Sequence, residues 1–186
     1  MIPILVDCDD CIADFTGSAL HLAAEKFNVF ATPEDVTKPE LWDSIGCPHL
    51  PVAIDDAVLD NDFVYRMKPI AAGMTFLRQL EAKYGVQNVY VCTAPWSSDS
   101  RGQEIATGEW ASQRYAWLRD VARVPRKRVI MCNAKHLVNG VLIDDSPKNI
   151  KGRDFGYCIA KPNNASYTGP RGNYGECFTW LGGLLK

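Results

Sequence analysis

The chain has 186 residues, 47% hydrophobic and 23% charged, with a formal net charge of −2, which suits one soluble globular domain or one domain carrying a modest insertion. So small a net charge excludes a broad electrostatic grip on a nucleic-acid polymer or an anionic membrane surface. No apolar run approaches the length of a membrane span, and the first one is too short and too soon acidic for a signal peptide.

The first predicted element is a strand over Ile4–Asp7. The apolar run Ile2-Pro3-Ile4-Leu5-Val6 leads straight into Asp7-Cys8-Asp9-Asp10, so three acids in four residues stand where the strand must end. Carboxylates buried without partners are costly, which calls for a nearby cation; the alternative is a solvated acidic turn. Gly17–Phe27 reads as a helix with Leu20, Ala24 and Phe27 on one stripe, and Asp14 as the cap of the helix that begins near Phe15. Pro33, Pro39, Pro48 and Pro51 then break the chain around Leu41-Trp42, and Asp55–Met67 holds another short helix. Residues 15–69 thus form a small helical insertion placed to cover the acidic loop.

Ala71–Tyr84 is amphipathic, with Phe76, Leu77 and Leu80 on one face, and is followed by a strand over Val89–Thr93. A helix over Glu109–Val121 carries Trp110 and Trp117 on one face, which reads as core. The basic run Arg123–Arg128 reads as a solvated helix-to-strand loop. Strands follow at Val129–Cys132 and Gly140–Asp144, with a weaker one at Tyr157–Lys161; Lys161–Glu176, rich in Asn, Gly and Pro, reads mostly as loop. Strands alternating with amphipathic helices indicate an α/β fold with a parallel sheet covered on both faces, in which ligands bind at the carboxyl ends of the strands. Those ends are Asp7-Cys8-Asp9, Thr93-Ala94 and Asp144-Asp145. The seven cysteines are scattered, and Cys8 and Cys11 lack the further cysteine or histidine ligands that a zinc site needs. Reduced thiols and a cytoplasmic setting are therefore expected.

These residue types suit phosphoryl transfer. One carboxylate can attack phosphorus to form an acyl phosphate, and a second, two residues on, can protonate the leaving oxygen and then deprotonate water. A hard divalent cation, Mg²⁺, would hold nucleophile and phosphate together, with Asp144 and Asp145 as further ligands. Thr93 offers a hydroxyl, and Ala94 a backbone N–H, to a phosphate oxygen. Lys135 offers positive charge, ahead of Lys148 and Lys151 because it precedes the Gly140–Asp144 strand.

Asp7-x-Asp9, strand-terminal Thr93, Lys135 and Asp144-Asp145, in that order, resemble the four motifs of the haloacid dehalogenase superfamily of phosphatases. More narrowly, Val6–Phe15 (VDCDDCIADF) resembles the DMDGVLADF segment of the 5'(3')-deoxyribonucleotidases. Cys92-Thr93-Ala94-Pro95 resembles their CTSP, Gln113–Trp117 their KYAW stretch, and Leu142-Ile143-Asp144-Asp145 their LIDD. The resemblance implies a Rossmann-like core over residues 1–14 and 70–186, a helical cap over 15–69, and an aspartyl-phosphate mechanism. In it Asp7 is the nucleophile, Asp9 the acid/base, and Mg²⁺ lies on Asp7, the Asp9 carbonyl and the motif-four aspartates. Spacing does not say whether Asp144 or Asp145 touches the metal directly; Asp144 is preferred. Phe15 and Trp42 correspond to aromatics that line the family's base pocket, and the alternative is that both simply pack the cap. Trp96 either borders the pocket or packs.

The chain departs from the family pattern at Asp10, where Gly is usual, and at Cys11, where Val or Thr is usual. Asp suits a left-handed backbone position better than most residues do. The implied partner is a small phosphomonoester, a nucleoside 5'-monophosphate, with a homodimer left open. The rivals are a phosphatase of sugar phosphates and a catalytically silent nucleotide-binding module.

Overall fold

The computed structural model describes residues 2–96 and 103–185. Six strands form a parallel sheet in the order β3-β2-β1-β4-β5-β6. They are β1 (Ile4–Val6), β2 (Val89–Thr93), β3 (Val129–Met131), β4 (Val141–Asp144), β5 (Gly156–Ile159) and β6 (Arg171–Gly172). The order reverses between β1 and β4, the kind of switch point at which Rossmann-like sheets bind ligands. Val6 pairs with Val91 on one side and Ile143 on the other. Asp7, Thr93 and Asp144 therefore leave three adjacent strands at the same edge.

Alternation along each strand divides the apolar residues between two faces. Ile4, Val6, Val89, Val91, Val141 and Ile143 enter the main core, whereas Leu5, Cys92, Leu142 and Cys158 join Ile150 in a smaller cluster. Burial on both faces is why these strands read as unbroken apolar runs. Helix α4 spans Ala71–Tyr84 as expected, while α5 (Gln103–Asp120) begins earlier than its apolar pattern suggests. Trp110 and Trp117 are core residues, and Trp117 Nε1 donates to the Met67 carbonyl at 2.8 Å.

Between β1 and α4 lie three helices, α1 (Phe15–Phe27), α2 (Leu41–Ile45) and α3 (Leu50–Asn61). The Asp14 side chain caps α1, accepting from Gly17 N at 3.0 Å. Helix α3 starts before the expected Asp55, because Pro51 sits in its first turn, where a missing N–H costs nothing. The two ends of this segment run side by side: Asp14 N donates to Lys68 O and Ile70 N to Ile12 O, both at 2.9 Å.

The C-terminal region is mostly loop over residues 161–173, as expected, and helical beyond them. It holds β6 and a helix, α7 (Tyr174–Leu184), reached past the short α6 (Pro147–Ile150). Asn173 accepts from Glu176 N at 3.0 Å, and Glu176 accepts from Asn173 N at 2.7 Å. That reciprocal cap is readable in the sequence as Asn-x-x-Glu.

Candidate active site

The segment after β1 is wound into a compact loop. The amides of Cys11, Ile12 and Ala13 converge on the Cys8 carbonyl at 3.3, 2.8 and 2.9 Å, and Asp10 N donates to Ala13 O at 2.7 Å. The turn needs a left-handed residue, and Asp10 supplies it at φ 53°. The Asp10 carboxylate accepts from Thr16 N at 2.9 Å and Thr16 Oγ1 at 2.6 Å, which ties the loop to the first turn of α1. Behind the loop, the Tyr174 hydroxyl donates to Cys11 O at 2.6 Å. A Cβ on Gly73 would lie 1.9 Å from that same oxygen, so α4 approaches this closely only through a glycine.

Asp7 is buried at the head of the loop. Its Oδ1 accepts from Cys8 N at 2.7 Å and pairs with Lys135 Nζ at 2.6 Å. Lys135 also donates to Asp144 Oδ2 at 2.8 Å. Asp144, wholly buried, accepts further from Ser146 N at 2.8 Å and from Asn149 Nδ2 at 3.1 and 3.0 Å. Burial works against the Lys135 charge, but the carboxylates of Asp7 and Asp144 outweigh it and hold the ammonium well above the ordinary lysine value. Lys148 and Lys151 are exposed, whereas Lys135 is buried among carboxylates.

Asp145 points elsewhere. Ligand atoms of Asp7, Cys11 and Asp145 all lie within 4.8 Å of one another. Among the described residues, neither Asp7 Oδ2 nor the Asp145 carboxylate accepts a hydrogen bond. Burial, reinforced by Asp144, pushes Asp7 up to about 8, with Lys135 opposing. Burial, Asp10, Asp144 and Asp7 push Asp145 well above the carboxylate range. Two converging carboxylates with unshared oxygens, whose repulsion Lys135 only partly offsets, fit a hard dication. Burial also drives the Cys11 thiol well up, so it stays protonated beside them.

Thr93 ends β2 with its Oγ1 enclosed and unpartnered, and Ala94 follows it half-buried. A buried hydroxyl without a partner is rare unless a ligand supplies one.

Asp9 is gripped by a residue that sequence reasoning missed. Arg114, fully buried on α5, pairs through Nη2 with Asp9 Oδ1 and donates through Nη1 to Cys8 Sγ at 2.8 Å. Its guanidinium lies 4.6 Å from the Trp110 ring centroid and 6.0 Å from that of Trp117. The signal was present: Arg114 is four residues after Trp110 and three before Trp117, on the face read as core. A charge on a core face needs an opposite charge.

A crevice of about 120 Å³ borders Asp145 and is walled by Phe15, Thr16, Leu41, Pro147 and Asn163 among others. The ring neighbours of Phe15 are Trp96, at 5.8 Å between centroids, and Phe63, at 6.3 Å. Trp96 Nε1 donates to Asp55 Oδ1 at 2.7 Å. Trp42 is half-buried on α2, and it is Leu41 that faces the crevice.

A family described as "5' nucleotidase, deoxy (Pyrimidine), cytosolic type C protein" matches residues 1–172. The chain belongs to this family. It is therefore a 5'-nucleotidase, a phosphoric monoester hydrolase of the haloacid dehalogenase-like type. No curated protein matches this nucleotidase. No helix among its described residues is long and apolar enough to cross a membrane.

Proposed function

We propose that this nucleotidase hydrolyses deoxyribonucleoside 5'-monophosphates through a phospho-Asp7 intermediate. The observation that carries the reading is the state of Asp7: one oxygen is held by Lys135 and the Cys8 amide, and the other is unshared. Asp7 Oδ2 attacks phosphorus, and the P–O bond to the nucleoside breaks as Asp9 gives its proton to the leaving oxygen. Water then attacks the phospho-Asp7, yielding its proton to Asp9, and phosphate leaves with Asp7 restored. Arg114 holds Asp9 Oδ1 and so leaves Oδ2 for the proton. Lys135, the Thr93 hydroxyl and the Ala94 amide bind the phosphoryl oxygens.

Asp7, Asp145 and the Asp9 carbonyl would hold Mg²⁺, which neutralises charge between the nucleophile and the phosphate. Asp145 replaces Asp144 as the direct ligand, because the Asp144 oxygens are taken by Lys135, Ser146 and Asn149. Residues 15–69 act as a cap on a core of 1–14 and 70–186. Phe15 and, from α2, Trp42 contact the base. The cap would open and close about its paired ends, where Asp14 N meets Lys68 O and Ile70 N meets Ile12 O.

The place of Trp42, half-buried on α2 and absent from the crevice walls, favours the second reading, a sugar phosphate. Turnover of deoxyribonucleotides, ribonucleotides and sugar phosphates decides between them. The proposal expects the first class to be preferred; equal use of sugar phosphates removes the substrate assignment. Undiminished phosphate release from an Asp7→Asn variant removes the covalent mechanism.

A further inference from the structure

A second cleft, of about 520 Å³, lies between the segment leading into β4 and the one leading into β5. Its lining includes His136, Val138, Lys148, Lys151, Arg153 and Asp154, and it shares no lining residue with the crevice that borders Asp145. In a chain of net charge −2, three permanent cations line this one cleft, and Asp154 is the only acid among its described lining residues. Neither Lys148 nor Lys151 is ion-paired with a described carboxylate. The volume lies within the range of small-molecule sites.

Arg153 connects this cleft to the catalytic groups. Its Nη1 donates to Lys135 O, and its Nη2 to Val138 O and Gly140 O, all at 2.8 Å. Its Nε is buried and has no acceptor. All three carbonyls lie at or just after Lys135, whose Nζ grips Asp7 and Asp144. Any shift of the Arg153 side chain toward an anion in the cleft would bear on the backbone that aims Lys135.

We propose that this cleft is a second anion site for a ligand carrying at least two phosphoryl groups, and that filling it changes the hydrolytic rate through Arg153 and Lys135. Guanidinium and ammonium groups are the usual partners of phosphate oxygens. Lys148 and Lys151, both exposed on one cleft, offer separate cationic partners to two phosphoryl groups. The rate effect rests on the catalytic reading above; the binding does not.

Calorimetric titration of the full chain with pyrophosphate, without turnover, tests the site. Pyrophosphate binds the wild type, and the double variant Lys148→Glu/Lys151→Glu binds it ~10-fold or more weakly, with the difference shrinking at high salt. The double variant keeps the basal hydrolysis rate and thermal midpoint, because both lysines are exposed and outside the catalytic groups. Pyrophosphate shifts the wild-type rate and leaves that of the double variant unmoved. A nucleoside triphosphate, titrated in parallel, loses affinity in the double variant by the same factor. Equal pyrophosphate affinity in the two proteins overturns the site, and an equal rate response overturns its coupling to Lys135. Absence of any hydrolysis by the wild type would overturn the catalytic reading and leave the calorimetric result standing.

Discussion

Asp144 and Asp145 are neighbours in the chain and opposites in the structure. Asp144 belongs to a closed region in which Lys135, Ser146 and Asn149 satisfy its oxygens and no surface is exposed. Asp145 belongs to an open region, half-buried beside Asp7, Cys11 and the crevice. The closed side is saturated and so can only hold: it fixes Lys135, and through Lys135 one oxygen of Asp7. The open side is unsaturated, which costs stability in the bare protein and leaves valence for a ligand. Asp7 stands on the boundary with one oxygen committed to each side. A site that must both position a nucleophile and leave it free needs such a division.

The sharpest way to break this comparison is at the boundary. Asp7→Asn keeps the shape of the side chain and removes the nucleophile, so phosphate release should fall by ~10³-fold or more; retention of the wild-type rate would collapse the distinction between the two sides. On the closed side, Lys135→Met leaves Asp7 and Asp144 buried without their shared cation. It should cost ~3–5 kcal/mol of stability in metal-free denaturant titrations, and a loss under 1 kcal/mol (roughly the worth of a surface pair) would show that the region is not closed. On the open side, Asp145→Asn should leave the metal-free protein as stable as the wild type or more so, since it removes a crowded charge. Mg²⁺ at 100 times its Kd should stabilise the wild type by ~2.7 kcal/mol and the variant by much less, read as the shift in thermal midpoint. If Asp144→Asn rather than Asp145→Asn abolishes that shift, the assignment of sides is reversed. The smallest effect is expected at the loop tether. Asp10→Gly keeps the left-handed turn and loses the two Thr16 hydrogen bonds, for a net cost of ~1 kcal/mol in urea titration, with the larger change in KM if the tether governs cap movement.

The legible parts of this site are those that local pattern controls. Apolar runs ending in Asp7, Thr93 and Asp144 marked three strand ends, and parallel pairing put those ends at one edge. Lys135 was readable as the lysine that precedes the strand ending in Asp144. The left-handed turn at Asp10 was readable too, because few residue types other than glycine accept it. What stayed hidden was partner choice over long separations. Nothing local says that Arg114 reaches Asp9 across 105 positions, or that Trp96 meets Phe15. The helix at α7 was hidden for a different reason: its Gly- and Asn-rich approach masked a cap that the Asn173/Glu176 pair spells out.

By itself, then, the chain determined the order of β1 to β5 and of the longer helices between them, the identity of the acids at the strand ends, and the family to which they belong. Period-2 and period-3.6 patterns are local and survive without knowledge of neighbours. Only the tertiary structure decided which of Asp144 and Asp145 faces Asp7 with a free oxygen, because beyond a strand's last residue the pleat no longer dictates side-chain direction. It also decided that the exposed lysines after β4 share a cleft with the arginine that braces Lys135. Both outcomes depend on where folded segments pack against one another, which adjacent residues do not encode.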